Sequence, residues 1–148
     1  MSNNPSISII VPVLNEEGSL EIFYTETSKV LREYSDWEMI FVDDGSDDES
    51  FNIIRGIAEK DSHVTLIQFF KNFGKADALS EGFNQANGDV VITIDADLQD
   101  DPAEIPRLVA KIQEGWDVVS GWKKDRKDPA SKRIPSKFFN LVTRLFTG

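Results

Sequence analysis

Two aspartates one residue apart, followed two positions on by a glutamine, stand in Asp95-Ala96-Asp97-Leu98-Gln99. Two carboxylates and an amide oxygen are hard donors, suited to Mg²⁺ or Mn²⁺ and not to zinc. If the direction of the preceding strand continues through them, alternation puts all three side chains on one side. So few protein ligands leave coordination positions for water and substrate phosphates, and a diphosphate ligand follows. Taken alone, the segment reads better as plain structure: a strand end at Asp95, turn residues at Asp97 and Asp100, and a helix cap at Asp101.

Three further polar clusters reverse that preference: Asn15-Glu16-Glu17, Asp43-Asp44-Gly45-Ser46 and Asn72-Phe73-Gly74-Lys75. Each follows a predicted strand. In an open parallel sheet the ligand crevice lies outside the carboxyl ends of the strands. Clusters far apart in sequence therefore converge on one site. Asp43 and Asp44 can accept hydrogen bonds from a ribose hydroxyl or a base N–H; the structural alternative is an Asp-Gly turn with Ser46 as a cap. Lys75 opens a helix after Gly74, where a cation and free amides favour a phosphate. In isolation it would read as an exposed lysine. The single histidine, His63, sits in a polar loop and is expected to be solvated, with no role.

The elements that must position these residues alternate. Predicted strands are Ile7–Val11, Trp37–Val42, Val64–Phe69, Asp89–Ile94 and Asp117–Ser120, mostly short apolar runs. Between them lie helical patterns at 16–34, 46–60, 75–87 and 101–114. Ser46-Asp-Asp-Glu49 reads as a capping box opening the second helix. Asp101, with Pro102 at the first helical position, reads as the N-cap of the fourth. Asn87-Gly88 and Gly115 are helix stops. Near-continuous apolar strands alternating with helices predict an α/β fold with a mostly parallel, doubly wound sheet. Residues 124–135 are expected to be a polar loop, and a helix resumes at Ser136. There is no internal repeat and no low-complexity segment.

With 148 residues, 40% of them hydrophobic, the chain suffices for one domain with a real core. A net charge of −10 argues against a nucleic-acid partner, since phosphate backbones need a basic surface. The absence of cysteine excludes disulfides, thiolate zinc sites and a cysteine nucleophile. No stretch reaches the roughly 18 apolar residues of a membrane span. The first residues lack the basic and apolar regions of a signal peptide, so a cytoplasmic protein, or one at the cytoplasmic face of a membrane, is expected. Charge is uneven: residues 123–144 hold eight basic side chains against Asp125 and Asp128. In Ser136–Phe146 the apolar positions 138, 139, 141, 142, 145 and 146 form one face, with Lys137, Asn140 and Arg144 opposite. Such a helix can lie on an anionic membrane or pack on the sheet. Residues 1–122 are thus expected to form the α/β core, and 123–148 a basic loop and amphipathic helix.

The ordered motifs Val11-Pro-Val-Leu-Asn-Glu-Glu17, Val42-Asp-Asp-Gly-Ser46, Lys71-Asn-Phe-Gly-Lys-Ala-Asp-Ala-Leu79, Asp95-Ala-Asp-Leu-Gln-Asp-Asp-Pro102 and Gly121-Trp-Lys-Lys-Asp-Arg126 resemble glycosyltransferase family 2. They are most similar to its dolichol-phosphate mannose synthases and bacterial polyprenyl-phosphate glucosyltransferases. The resemblance implies a GT-A, Rossmann-like fold, a nucleoside-diphosphate sugar donor, Mg²⁺ or Mn²⁺, and inversion at the anomeric carbon. By the same resemblance Pro12, Leu14 and Glu16 border the nucleoside. Val42 and Asp44 contact base or ribose, with Asp43 adjacent. Asp95, Ala96, Asp97 and Gln99 form the metal and diphosphate site. The family usually has an aromatic where Leu14 stands, and Gly-x-Arg where this chain has Gly121-Trp122-Lys123. A lysine lacks the bidentate grip of a guanidinium on phosphate, which Arg126 can supply instead. Members of this branch continue well past 148 residues, so a fragment lacking the C-terminal part of the fold is expected.

The chemistry expected is direct displacement, with the metal on Asp97 and Gln99 neutralising the leaving diphosphate and Asp95 orienting the metal shell or the sugar. A polyprenyl phosphate acceptor is already anionic and needs no strong base; a saccharide hydroxyl would, with Asp100 and Asp101 the nearest candidates. A UDP-sugar is the expected donor. The remaining alternatives are a non-catalytic nucleotide-sugar binder, a nucleotidyltransferase, which would want an early Gly-rich phosphate loop, and a receiver-like signalling domain, which would want its acidic pair after the first strand.

Overall fold

The computed structural model of the chain describes residues 4–121. Four strands form one wholly parallel sheet: β1 (Ile7–Val13), β2 (Trp37–Asp43), β3 (Val64–Gln68) and β4 (Val90–Thr93), in the order β3-β2-β1-β4. The helices are α1 (Leu20–Leu31), α2 (Ser50–Ala58), α3 (Lys75–Gln85) and α4 (Ile105–Gln113), the last preceded by a 3₁₀ turn at Pro102–Glu104. This is the α/β architecture that the alternating apolar runs predict.

The strand residues explain the layering. β1 and β2 are central, and their side chains are buried on both faces, which is why both read as nearly unbroken apolar runs. Ile7, Ile9, Val11 and Val13 point with Met39 and Phe41 into the larger core, which takes Leu20, Phe23 and Leu31 of α1, Ile54 of α2, and Ile105 and Val109 of α4. The opposite face of β2, Ile40 and Val42, packs on Ala78 of α3. There α3 lies so close to β1 that a side chain at Gly82 would run into Ile10.

The strand order places the crevice. After β1 the chain moves outward through β2 to β3, then returns to the other side of β1 as β4. The loops leaving β1 and β4 therefore diverge, and a ligand crevice opens between their carboxyl ends.

Several expected elements differ. Helix α2 starts at Ser50, not Ser46, and its N-cap, Glu49, makes no side-chain capping bond. The Ser46 amide donates to Asp43 Oδ1 (3.0 Å) and its hydroxyl accepts from the Asn15 amide (3.0 Å), so the expected capping box is spent on holding two loops together. Asp117–Ser120 is not a strand: it joins no ladder, and Val118 is 84% exposed. A four-residue run with two valines buries too little there to offset the entropy of ordering it. The strand direction of β4 does not continue through 95–99 either. Residues 96 and 97 turn, Leu98 has φ 61°, and Asp97 Oδ1 accepts from the Gln99 amide (3.0 Å). The three polar side chains are set by this turn, not by strand alternation. Asp101 does cap as expected, accepting from the Ala103 amide (2.9 Å). His63 is not simply solvated: its ring stacks on Trp37 at 4.3 Å and bonds Asp61 Oδ1 at 2.8 Å. Lys123, Arg126, the basic loop and the amphipathic helix lie outside the described residues.

Candidate functional site

The loops at the carboxyl edge are tied to one another before any ligand is considered. The β1–α1 and β2–α2 loops share five hydrogen bonds. The amides of Asn15, Glu16 and Glu17 donate to Ser46 Oγ (3.0 Å), Ser50 Oγ (2.9 Å) and Asp48 Oδ2 (3.2 Å). In return, the amides of Asp47 and Glu49 donate to Asn15 Oδ1 and Glu17 Oε2, both at 2.9 Å. Asn15 adopts φ 56° to make this contact, a conformation asparagine tolerates. The hydrogen bonds at Asp48 have a titration consequence. Burial alone would push its carboxyl up, but the Ser50 hydroxyl, the Ser50 and Glu17 amides and its own amide outweigh burial and hold it below the ordinary range.

The β3–α3 loop is held by Asp44, which is 3% exposed. Its Oδ1 accepts from the Phe73 amide (2.7 Å) and its Oδ2 from the Gly74 amide (3.0 Å). Gly45 makes the approach possible. It has φ +77°, and a Cβ on it would stand 2.5 Å from the Lys71 carbonyl carbon and 2.7 Å from the Asn72 nitrogen. The loop is thereby delivered to the start of α3, and Lys75 Nζ reaches across to Asp95, 2.6 Å from Oδ1 and 2.7 Å from Oδ2.

These loops enclose a cleft of ≈ 420 Å³, within the range of small-ligand sites. Pro12 lines it from β1, and Leu14 and Glu16 from the loop that follows. Asp44, Asn72, Gly74 and Lys75 line the far side, and Asp95, Ala96 and Asp97 the β4 end. Eight of the residues expected from sequence thus meet in one crevice: Pro12, Leu14, Glu16, Asp44, Lys75, Asp95, Ala96 and Asp97, with Ala96 the buried spacer between the two aspartates. Val42 and Asp43 do not line the cleft; both are fully buried. Asp43 Oδ1 is taken by the Ser46 amide, and its Oδ2 has no hydrogen-bond partner among the described residues. Gln99 is exposed and lies outside the cleft lining. Sequence reasoning assigned no role to Asn72 and Gly74, although both belong to the polar cluster it had noted. Nor could it foresee that Asp44 spends both oxygens on the neighbouring loop.

A model of glycosyl transferase family 2 matches residues 8–147. The chain belongs to that family. Among its relatives are the undecaprenyl-phosphate 4-deoxy-4-formamido-L-arabinose transferases of Pseudomonas fluorescens, 46% identical over 96% of this chain, and of Shewanella sediminis, 44% identical over the same share. The chain spans 42% and 44% of the lengths of these curated relatives. Among solved structures it is similar to a Pyrobaculum calidifontis mannosyltransferase in complex with GDP-Man and Mn²⁺. That match has 29% identity and a TM-score of 0.54, over 65% of this chain and 28% of the other. It is also similar to the Mycobacterium tuberculosis glucosyl-3-phosphoglycerate synthase in complex with Mn²⁺, UDP and phosphoglyceric acid: 28% identity, TM-score 0.57, 73% of this chain and 39% of the other. The fold is shared as well with S. aureus TarS, at 24% identity and a TM-score of 0.61. The sheet and helices are thus the N-terminal part of the GT-A fold of family 2. No helix among the described residues is long and apolar enough to cross a membrane.

Proposed function

We propose that this chain forms the donor side of an inverting glycosyltransferase that moves a sugar from a nucleoside diphosphate, UDP first among the candidates, to a polyprenyl phosphate. The observation that carries the reading is the charge of the cleft: among the described residues Glu16, Asp44, Asp95 and Asp97 line it against the single ammonium of Lys75. A diphosphate does not enter four carboxylates unaided; a divalent cation makes the site and the ligand compatible.

The donor set fits such a cation. Asp95 and Asp97 are carboxylates on one turn, and Asp97 keeps Oδ2 free of partners among the described residues. Among those residues no group of three or more His, Cys, Asp or Glu could hold a metal. Two carboxylates alone match what Mg²⁺ or Mn²⁺ takes from a protein, the rest of the shell being water and phosphate. Asp95 and Asp97 would hold the ion, with Gln99 within the same turn. When bound, the ion supplies Lewis-acid neutralisation of the leaving diphosphate.

The chain's own residues do the rest. Pro12, Leu14 and Glu16 give the nucleoside an edge to lie on. Asp44, having four lone-pair directions and two in use, retains acceptor capacity toward a sugar or base. Val42 and Asp43 support the nucleoside side from beneath, and Lys75 is within reach of phosphate. Lys123 and Arg126 complete the phosphate contacts in this reading. A lipid phosphate acceptor is anionic at neutral pH and needs no general base. That agrees with Asp101 being engaged as a cap. The names of the curated relatives support undecaprenyl phosphate as the acceptor, at the cytoplasmic face of a membrane, and make 4-deoxy-4-formamido-L-arabinose the first sugar to test.

Calorimetry of the 148-residue chain with UDP, GDP and CDP, each with and without Mn²⁺, tests the site. Binding of one nucleotide that requires Mn²⁺ and is lost in Asp97→Ala is expected. Metal-independent binding, or an unchanged Asp97→Ala variant, would refute the assignment.

A further inference from the structure

Lys75 and Asp95 come from different elements, α3 and the end of β4, and are twenty residues apart. Yet the lysine spans both carboxylate oxygens, at 2.6 and 2.7 Å. The neighbouring Asp97 has no such cation; its Oδ1 is held by a backbone amide. One of the two candidate metal carboxylates is therefore already paired with Lys75, the one cation lining the cleft among the described residues. The pair is open to water, with side chains 58% and 39% exposed, so it is weak and exchanges readily.

We propose that Lys75 is a placeholder cation. It holds Asp95 until a divalent cation takes the carboxylate, and the displaced ammonium then pairs with the donor diphosphate. This rests on reading the cleft as the donor site. The consequence is positive coupling between cation and nucleotide. A divalent cation alone must break the pair and leaves an unpaired ammonium close to a doubly charged ion. A nucleotide alone meets a lysine already occupied and a cleft of uncompensated carboxylates. With both present, the divalent cation meets the Asp95 and Asp97 carboxylates and the diphosphate, and the freed ammonium of Lys75 meets the diphosphate. The coupling is reciprocal, so each ligand tightens the other by the same factor.

The test titrates Mn²⁺ into the 148-residue chain and reads free Mn²⁺ by electron paramagnetic resonance, without UDP and with saturating UDP. Wild type, Lys75→Gln, Lys75→Arg and Asp97→Ala are compared. The exposure of Lys75 makes these substitutions compatible with folding, and matching thermal melts confirm it. Lys75→Gln is expected to bind Mn²⁺ alone about two- to fivefold more tightly, the range an exposed ion pair supplies. It is also expected to lose most of the tightening that UDP produces in wild type. Lys75→Arg, which keeps the charge, is expected to retain that tightening. Mn²⁺ binding to Lys75→Gln that is no tighter than wild type, with the UDP effect intact, overturns the exchange while leaving the donor site standing. A wild-type chain that takes no Mn²⁺ even with UDP, or an Asp97→Ala variant that binds it equally well, overturns the donor-site reading itself.

Discussion

Asp44→Asn separates the scaffold of the cleft from its chemistry. The Asp44 carboxylate is 3% exposed, and each oxygen accepts one loop amide, Phe73 N at 2.7 Å and Gly74 N at 3.0 Å. Hydrogen bonds to a charged group contribute about 1.5–3 kcal/mol each. Asparagine keeps one acceptor and turns an NH₂ toward the other amide, so one such bond is lost and one buried N–H is left facing a donor. The expected cost is about 2–3 kcal/mol. For a domain of this size that is a fall in melting temperature of roughly 4–12 °C. Asp44→Ala leaves both amides unpaired and costs more, about 3–6 kcal/mol. Urea unfolding followed by tryptophan fluorescence reads both. Because the loop leads directly into Lys75 at the start of α3, Asp44→Asn should also weaken the hold on Asp95 without touching that pair directly. An Asp44→Asn midpoint within about 0.5 kcal/mol of wild type would mean that the two loop bonds do not hold the cleft, and the account of its assembly would be wrong.

Gly45→Ala forces a side chain into φ +77° and against the backbone of Lys71 and Asn72. About 1–2 kcal/mol for the left-handed conformation and about 1–3 for displaced backbone predict a loss of roughly 2–5 kcal/mol in urea unfolding. Gly82→Ala should destabilise despite alanine's helix propensity, because the new methyl meets Cγ2 of Ile10, a fully buried β-branched residue that cannot turn aside. The penalty should shrink in an Ile10→Ala background, and strict additivity in that double-mutant cycle would contradict the contact. Acid should weaken the fold through Asp61. Burial pushes its carboxyl up, but the His63 amide, the Tyr24 hydroxyl at 2.7 Å and the His63 ring together hold it below the ordinary range. A folded value below the unfolded one, about 3.9, gives stability that is present above that pH and lost as pH falls through the folded value. Asp61→Asn should therefore flatten the acid limb of stability below about pH 4, and an unchanged limb would count against these bonds.

What the sequence made legible was whatever local chemistry dictates. β1 and β2 stood out because a parallel strand buried on both faces must be apolar throughout. Asp101 stood out because its cap, Pro102 and helix lie within a few residues of one another. The polar clusters at the strand ends located the cleft because a parallel sheet sends every carboxyl end to one edge. What stayed hidden depends on bonds between distant residues. Ser46 has the local pattern of a cap, but an amide 31 residues upstream takes its hydroxyl. Asp44 looks like a ligand contact and does line the cleft, but each of its oxygens also accepts from an amide, 29 and 30 residues downstream. No periodicity or spacing reports such partners. The valines at 118 and 119 look like a strand, but a ladder needs a partner edge as well as a suitable residue type.

These hidden bonds change the physical picture of the cleft. Three loops at the carboxyl edge are fixed by one another: β1–α1 by β2–α2 through five hydrogen bonds, and β3–α3 by Asp44. Ordering is thus completed on folding and need not be supplied by a ligand, which is the condition for a site to spend its binding energy on the ligand itself. The exception among the described residues is the ion pair of Lys75 with Asp95, which lies between side chains open to water. On the proposed reading, an acidic crevice whose described lining holds one exchangeable ion pair takes an anion most readily together with a cation, because the cation replaces Lys75 at Asp95 and frees the ammonium for the anion.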